Sequence, residues 1–219
     1  MSRMTVVLGA AVFFPLIAVG SVIPVVSYSM NNGGTGSFDY RDTSYLPCPA
    51  NNCSTTGAAL SGGTGKLTDG VQPTVDWSVG PPEGWVGWSE SELNGTNPMV
   101  NFILSGTPII NSIVVWFDNT LGGGGVGAPA SISVNGTSFT GIPQSVAGPQ
   151  AFTISGLNIT SNNIAVQFFQ GSNPWVMIGE VTFNSAASAV PEPVSPLLML
   201  IGLTALLLLR GRLRKISTS

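Results

Sequence analysis

Met99-Val100-Asn101-Phe102-Ile103-Leu104 and, after a Ser-Gly-Thr-Pro break, Ile109-Ile110-Asn111-Ser112-Ile113-Val114-Val115-Trp116-Phe117 decide the fold class. In the first stretch Val100, Phe102 and Leu104 alternate with Asn101, Ile103 and Ser105, the period-two pattern of a half-buried strand. The second is a nearly unbroken run of β-formers, which predicts a buried strand with Trp116 in the core. Working outward, Ser131–Val134 and Ser138–Thr140 flank Asn135-Gly136, a strong hairpin turn signal. Ala151–Ile154, Ile164–Phe169 and Trp175–Phe183 complete the series. No segment from Pro98 to Ala189 carries a sustained helical period, so the expectation is all-β: an antiparallel β-sandwich. Upstream, residues 30–65 are rich in Gly, Asn, Ser and Thr and read as loop with one or two weak strands.

Composition agrees. Of 219 residues, 8% are charged, far below the usual share of about 25%. Small polar residues and glycine take their place and favour turns over helix interiors. Between Met30 and Val190 the only basic residues are Arg41 and Lys66, against nine carboxylates. A surface without a basic stripe argues against nucleic acid, which needs cations to neutralise phosphates. It suits neutral glycans or divalent cations. The chain holds no histidine, which removes the commonest general base and any Ser-His-Asp or Cys-His set.

The two ends are different in kind. Arg3 precedes an apolar run from Thr5 to Val26, the pattern of a charged n-region and an h-region. Cleavage sites are Ser27, preceded by Val25, or Gly20, preceded by Ala18; the alternative is an uncleaved anchor. At the other end a small-residue linker leads to Pro191-Glu192-Pro193, an apolar stretch from Leu197 to Leu209, and Arg210, Arg212, Arg214 and Lys215. Such a basic cluster stays cytoplasmic by the positive-inside rule, so the middle of the chain lies across the membrane. The expected organisation is a signal peptide or anchor over 1–29 and a β-sandwich over 30–184, with its ordered core at about 60–184. A linker with the Pro-Glu-Pro motif over 185–193 and a transmembrane helix over 194–219 follow.

The motif, the helix containing Gly202-Leu203 and the Arg-rich finish together resemble a PEP-CTERM sorting signal over about the last 30 residues. The resemblance implies export in a Gram-negative bacterium that makes exopolysaccharide. It implies an exosortase as processing partner, and a mature form at the cell surface or outside it.

Cys48 and Cys53 lie five positions apart. In an exported chain a disulfide is the default. A metal pair or reactive thiol is the alternative, but a zinc site lacks further ligands without histidine.

Lys66-Leu67-Thr68-Asp69-Gly70, then Thr74, Trp77 and Trp85-Val86-Gly87-Trp88, and finally Gly179-Glu180-Val181 near the C-terminal strand, are similar to discoidin (coagulation factor type C) and related galactose-binding-like carbohydrate modules. The likeness covers roughly residues 60–184. It implies a jelly-roll sandwich of about eight strands and, in many members, sugar binding by loops at one end. It also implies a structural calcium beside the Asp-Gly turn. Asp69, Thr74 and Glu180 offer the oxygens that Ca²⁺ requires; the alternative is that Glu180 is hydrogen-bonded or paired with Lys66. Of the five tryptophans, Trp85 is the candidate ligand contact because it sits in a Pro- and Gly-rich loop, and Trp88 and Trp175 match packing positions of the family.

The glycine-rich stretch Leu121–Gly127 lacks the Gly-Lys-Ser/Thr and following helix of a phosphate loop and reads as a flexible connection. Glu83 with Glu90 or Glu92 could form a glycosidase pair, yet acidic loop residues are usually solvated, and no catalytic residue is assigned. The expected function is noncatalytic binding of carbohydrate or matrix. The alternative is a purely structural matrix or biofilm protein. Asn52, Asn94, Asn135 and Asn158 begin sequons read as chance matches.

Overall fold

The computed structural model describes residues 20–79 and 84–186. The compact unit runs from Gly20 to Ala186. The sequence-assigned leader through Val19, the linker motif Pro191, Glu192, Pro193 and the basic residues Arg210, Arg212 and Arg214 lie outside the described residues.

Eleven strands follow in order: β1 Val22–Ile23, β2 Val25–Asn31, β3 Ala59–Gly63, β4 Val86–Ser89, β5 Met99–Leu104, β6 Ile109–Asn119, β7 Ser131–Val134, β8 Thr137–Phe139, β9 Gly148–Thr160, β10 Asn163–Phe169 and β11 Trp175–Ser185. Among the described residues the only helical turns are short 3-10 segments at Pro49–Ser54 and Gly123–Gly125. All strand pairs are antiparallel. They form a five-stranded sheet, β1-β11-β6-β9 with β4 also on β11, and a six-stranded sheet, β3-β2-β5-β10-β7-β8. The all-β antiparallel expectation therefore holds.

The two sheets share one core because the inward-facing residues of their strands are apolar. Val100, Phe102 and Leu104 of β5 face Ile113, Val115 and Phe117 of β6 and Ile178, Val181 and Phe183 of β11 in one cluster of buried side chains. Rings bridge the sheets: Phe102 meets Phe183 edge-on at 5.1 Å, and Trp88 stacks on Phe168 at 6.4 Å. Such pairs add about 0.5–1.5 kcal/mol each beyond the area they bury. At Asn135-Gly136 both residues have positive φ, 48° and 84°, as a type I′ turn requires.

The sequence boundaries need correction at the N-terminus. The apolar run assigned to a leader through residue 29 contains β1 and most of β2, and Ile23, Tyr28 and Met30 are buried in the core. Ser21 is clamped to Ser185 through backbone and hydroxyl bonds. The core likewise begins well before residue 60, with Tyr45 and Cys53 inside it. Trp116 is not a core residue: β6 alternates, so Val114 and Trp116 sit half-buried on the outer side of their sheet. Cys48 and Cys53 form the expected disulfide, with Cα atoms 5.8 Å apart, and Cys53 is buried.

Candidate functional site

Among the described residues, a cleft opens on each sheet. The first arises because β4 and β1 both pair with the same side of β11, β4 at Trp175–Ile178 and β1 at Phe183–Asn184. The gap between them is filled by Leu67, whose carbonyl accepts from the Val181 N–H at 2.8 Å. At the same level β11 bulges against β6. Ile178 opposes Phe117 and Val181 opposes Val115, so Gly179 and Glu180 together face Trp116. A bulge of this kind re-aims a side chain. Gly179 must be glycine, because a Cβ there would overlap the Pro73 ring. Glu180 is carried into a cleft of about 400 Å³ lined by β1, the start of β2, Thr68–Gly70, Gln72 and β11.

The chemistry of this cleft is that of a poorly solvated carboxylate pair. Glu180 is 5% exposed and accepts from the Gly70 N–H at 3.2 Å. Burial, with a smaller push from Asp69, raises its pKa to about 8. Asp69 accepts from the Val71 N–H at 2.8 Å, an Asx turn made possible by Gly70 at φ 79°. Partial desolvation also lifts the Asp69 pKa above the ordinary carboxylate range. The Thr68 hydroxyl is buried with no hydrogen-bond partner. Thr74 is exposed and does not line this cleft. Lys66 is not the partner of Glu180. Its ammonium donates to the Arg41 carbonyl at 2.8 Å, and burial lowers its pKa. Two carboxylates and an orphaned hydroxyl thus line one cleft, while no cluster of three or more His, Cys, Asp or Glu side chains suited to a metal gathers among the described residues.

Trp85, expected as an exposed contact, is fully buried, and its indole N–H donates to the Val75 carbonyl at 3.1 Å. It belongs to a second apolar cluster with Tyr40, Trp77, Val126 and Met177, against which Phe38 and Trp175 pack. The loops around residues 33–45 and 71–79 cover one end of the five-stranded sheet in this way. The glycine-rich stretch is part of the cover rather than a free connection: a side chain at Gly124 would overlap Trp77. Asp118 anchors the cover by accepting from the Trp77 N–H at 2.8 Å and the Asn119 N–H at 2.9 Å. Its burial raises its pKa to about 6. Glu83 lies outside the described residues, Glu90 is exposed, and Glu92 accepts from the Thr35 and Ser89 N–H groups. The Glu92 bonds are structural duties, and a pairing with Glu83 falls outside the described residues.

The second cleft was not anticipated. It is a trough of about 500 Å³ on the outer face of the six-stranded sheet. Its floor is Ser29 and Asn31 of β2, Ala59 and Ser61 of β3, Met99 and Asn101 of β5, and Gln167 of β10; its wall is the Leu93–Pro98 loop. None of the six strands of this sheet contains a charged residue. The signal was present as Asn, Ser and Gln at the outward positions of β2, β5 and β10. It becomes a trough only once β2 is known to pair with β5 and β3 with β2.

No family model and no curated protein matches the chain. Among solved structures, similar chains include the family 32 carbohydrate-binding module from C. perfringens NanJ in complex with galactose. That match has 12% identity, covers 76% of this chain and all of that one, and has a TM-score of 0.42. A pectin-binding carbohydrate-binding module shows 16% identity, with 49% of this chain and 75% of that one covered and a TM-score of 0.32. The K2 cleaved adhesin domain of Lys-gingipain shows 15% identity, with 53% and 93% covered and a TM-score of 0.26. At these identities and scores the likeness carries no argument about ligand or activity.

Proposed function

We propose that the chain is an exported, noncatalytic carbohydrate-binding protein of the extracellular matrix, built on a galactose-binding-like jelly roll. The observation that carries this reading is the uncharged six-stranded sheet, which presents hydroxyls, amides and small apolar groups to solvent. Such a surface can exchange hydrogen bonds with water for hydrogen bonds with neutral sugars without stripping a charge of its hydration.

The sequence signals at both ends support passage through the inner membrane of a Gram-negative bacterium, handling by an exosortase, and a surface or extracellular destination. A calcium ion held by Thr68, Asp69 and Glu180 would serve as a structural brace between the Asp-Gly turn and β11. Its role would be charge compensation, since burial disfavours the ionised form of both carboxylates and the charge of Asp69 adds to that effect at Glu180.

A glycan array probed with the full-length chain, in a detergent without a sugar headgroup, tests the reading. Retention on neutral glycans is the expected result. A folded chain that retains none of them would leave the structural matrix protein as the better account.

A further inference from the structure

We infer that the trough on the outer face of the six-stranded sheet is the carbohydrate site, and that it takes an internal stretch of an extended, neutral polysaccharide. This rests on the carbohydrate-binding reading above and adds where and how the polymer is held.

The trough is built from two rows of side chains that run across the strands. Asn31 pairs with Ala59, and Met99 pairs with Gln167; one position along, Ser29 pairs with Asn101, which pairs with Ala165. Four strands at a spacing of about 4.8 Å span roughly 14 Å, longer than one pyranose ring. The site therefore suits several consecutive sugars better than a single chain end.

Its polar groups are uncommitted. Among the described residues, the side chains of Ser29, Asn31, Ser61 and Asn101 have no protein hydrogen-bond partner, and the Gln167 amide makes only a long contact, 3.5 Å, to the Asn97 carbonyl. The wall, by contrast, is braced. The Asn97 side-chain oxygen accepts from the Gln170 N–H at 2.9 Å, and the Thr96 hydroxyl donates to the Leu93 carbonyl at 2.6 Å. Free amides and hydroxyls on a rigid frame match the alternating donors and acceptors of sugar hydroxyls. Met99, 48% exposed, offers a polarizable apolar surface for the C–H face of a ring.

Charge decides between polymers. No lining residue is charged. Of the two described cations, Arg41 is spent on Asp39 at 2.7 Å and Lys66 on a backbone carbonyl. An anionic polysaccharide or a nucleic acid would find no counter-charge here.

The test is affinity electrophoresis of the full-length chain through gels containing a neutral polysaccharide (dextran, galactan or xyloglucan) or an anionic one (alginate). Variants are Asn101→Ala/Gln167→Ala in the trough, Met99→Glu as an exposed second probe, and Trp116→Ala on the other sheet. The expected result is retardation by at least one neutral polymer and none by alginate. It should weaken about tenfold in the double variant, as the loss of two hydrogen bonds implies, and in Met99→Glu, at unchanged melting temperature. Trp116→Ala should bind normally. Retardation by a neutral polymer that survives both trough variants would overturn the trough while keeping the carbohydrate reading. Preference for alginate would overturn the trough's selectivity for neutral chains. Absence of retardation by every polymer would overturn both.

Discussion

The two sheets treat their outer faces in opposite ways. The five-stranded sheet turns Trp116, Trp175 and Met177 outward, and loops close over one end of it until Trp77, Trp85 and Tyr40 form a second small core. Both strand carboxylates, Asp118 and Glu180, belong to this sheet and are buried. The six-stranded sheet has no charged residue in any strand, and the trough across it holds free amides and hydroxyls. Large aromatics that point outward demand cover, because exposing them forfeits the burial free energy of some of the biggest side chains in the chain. Small polar residues do not. The aromatic side is thus committed to stability, and the plain side is left free to bind.

That contrast can be broken most forcefully at the N-terminus, which feeds a strand into each sheet. A chain beginning at Tyr28 loses β1 and the start of β2, including buried Ile23. It should show no cooperative melting by circular dichroism, whereas a chain beginning at Ser21 should melt cooperatively. Under the proposed export, removal of a leader at Ser27 would take β1 away and removal at Gly20 would not, so N-terminal mass spectrometry of secreted material should find Gly20 or Ser21 first.

Next in size is Trp85→Ala. Removing a fully buried indole should cost about 3–5 kcal/mol in urea unfolding. An effect below about 1 kcal/mol would mean that the cover is dispensable.

Glu180 sharpens the comparison through pH. Its pKa is about 8 in the folded chain and 4.5 as a free side chain. Between these values the unfolded chain has lost the proton that the folded chain keeps, so calcium-free stability should fall as pH rises from about 5 to about 8. The total is on the order of a few kcal/mol, fully regained below pH 4.5. Glu180→Gln should flatten that slope. Added Ca²⁺ should raise the melting temperature at pH 8 in the parent chain and not in the variant; equal melting with EDTA and Ca²⁺ would remove the cation. The smallest effect belongs to the plain side: Met99→Ala should shift stability by less than about 0.5 kcal/mol while weakening polysaccharide retention.

Much of the sandwich was readable beforehand. Period-two alternation in β5, the Asn135-Gly136 turn and the Cys48–Cys53 pair are local signals, and each appears where the sequence placed it. What failed depended on distant partners. β1 and β2 were hidden because the apolar run from Thr5 to Val26 carries on into them without any change of composition. Trp85 and Trp116 exchanged roles because burial of a tryptophan depends on which loop folds over it. Lys66 was offered to Glu180, but the chain turns its ammonium toward Arg41. The trough had no contiguous motif, since its floor comes from four strands spread between residues 29 and 167.

The most direct test of the division between a covering side and a binding side is hydrogen–deuterium exchange of the full-length chain with and without the neutral polysaccharide that retards it. The account predicts added protection in Ser29–Asn31, Ala59–Ser61, the loop from Leu93 to Asn101, and around Gln167, with the aromatic loops unchanged. Protection concentrated in residues 33–45, 71–79 or 120–127 instead would place the ligand on the aromatic side and contradict it.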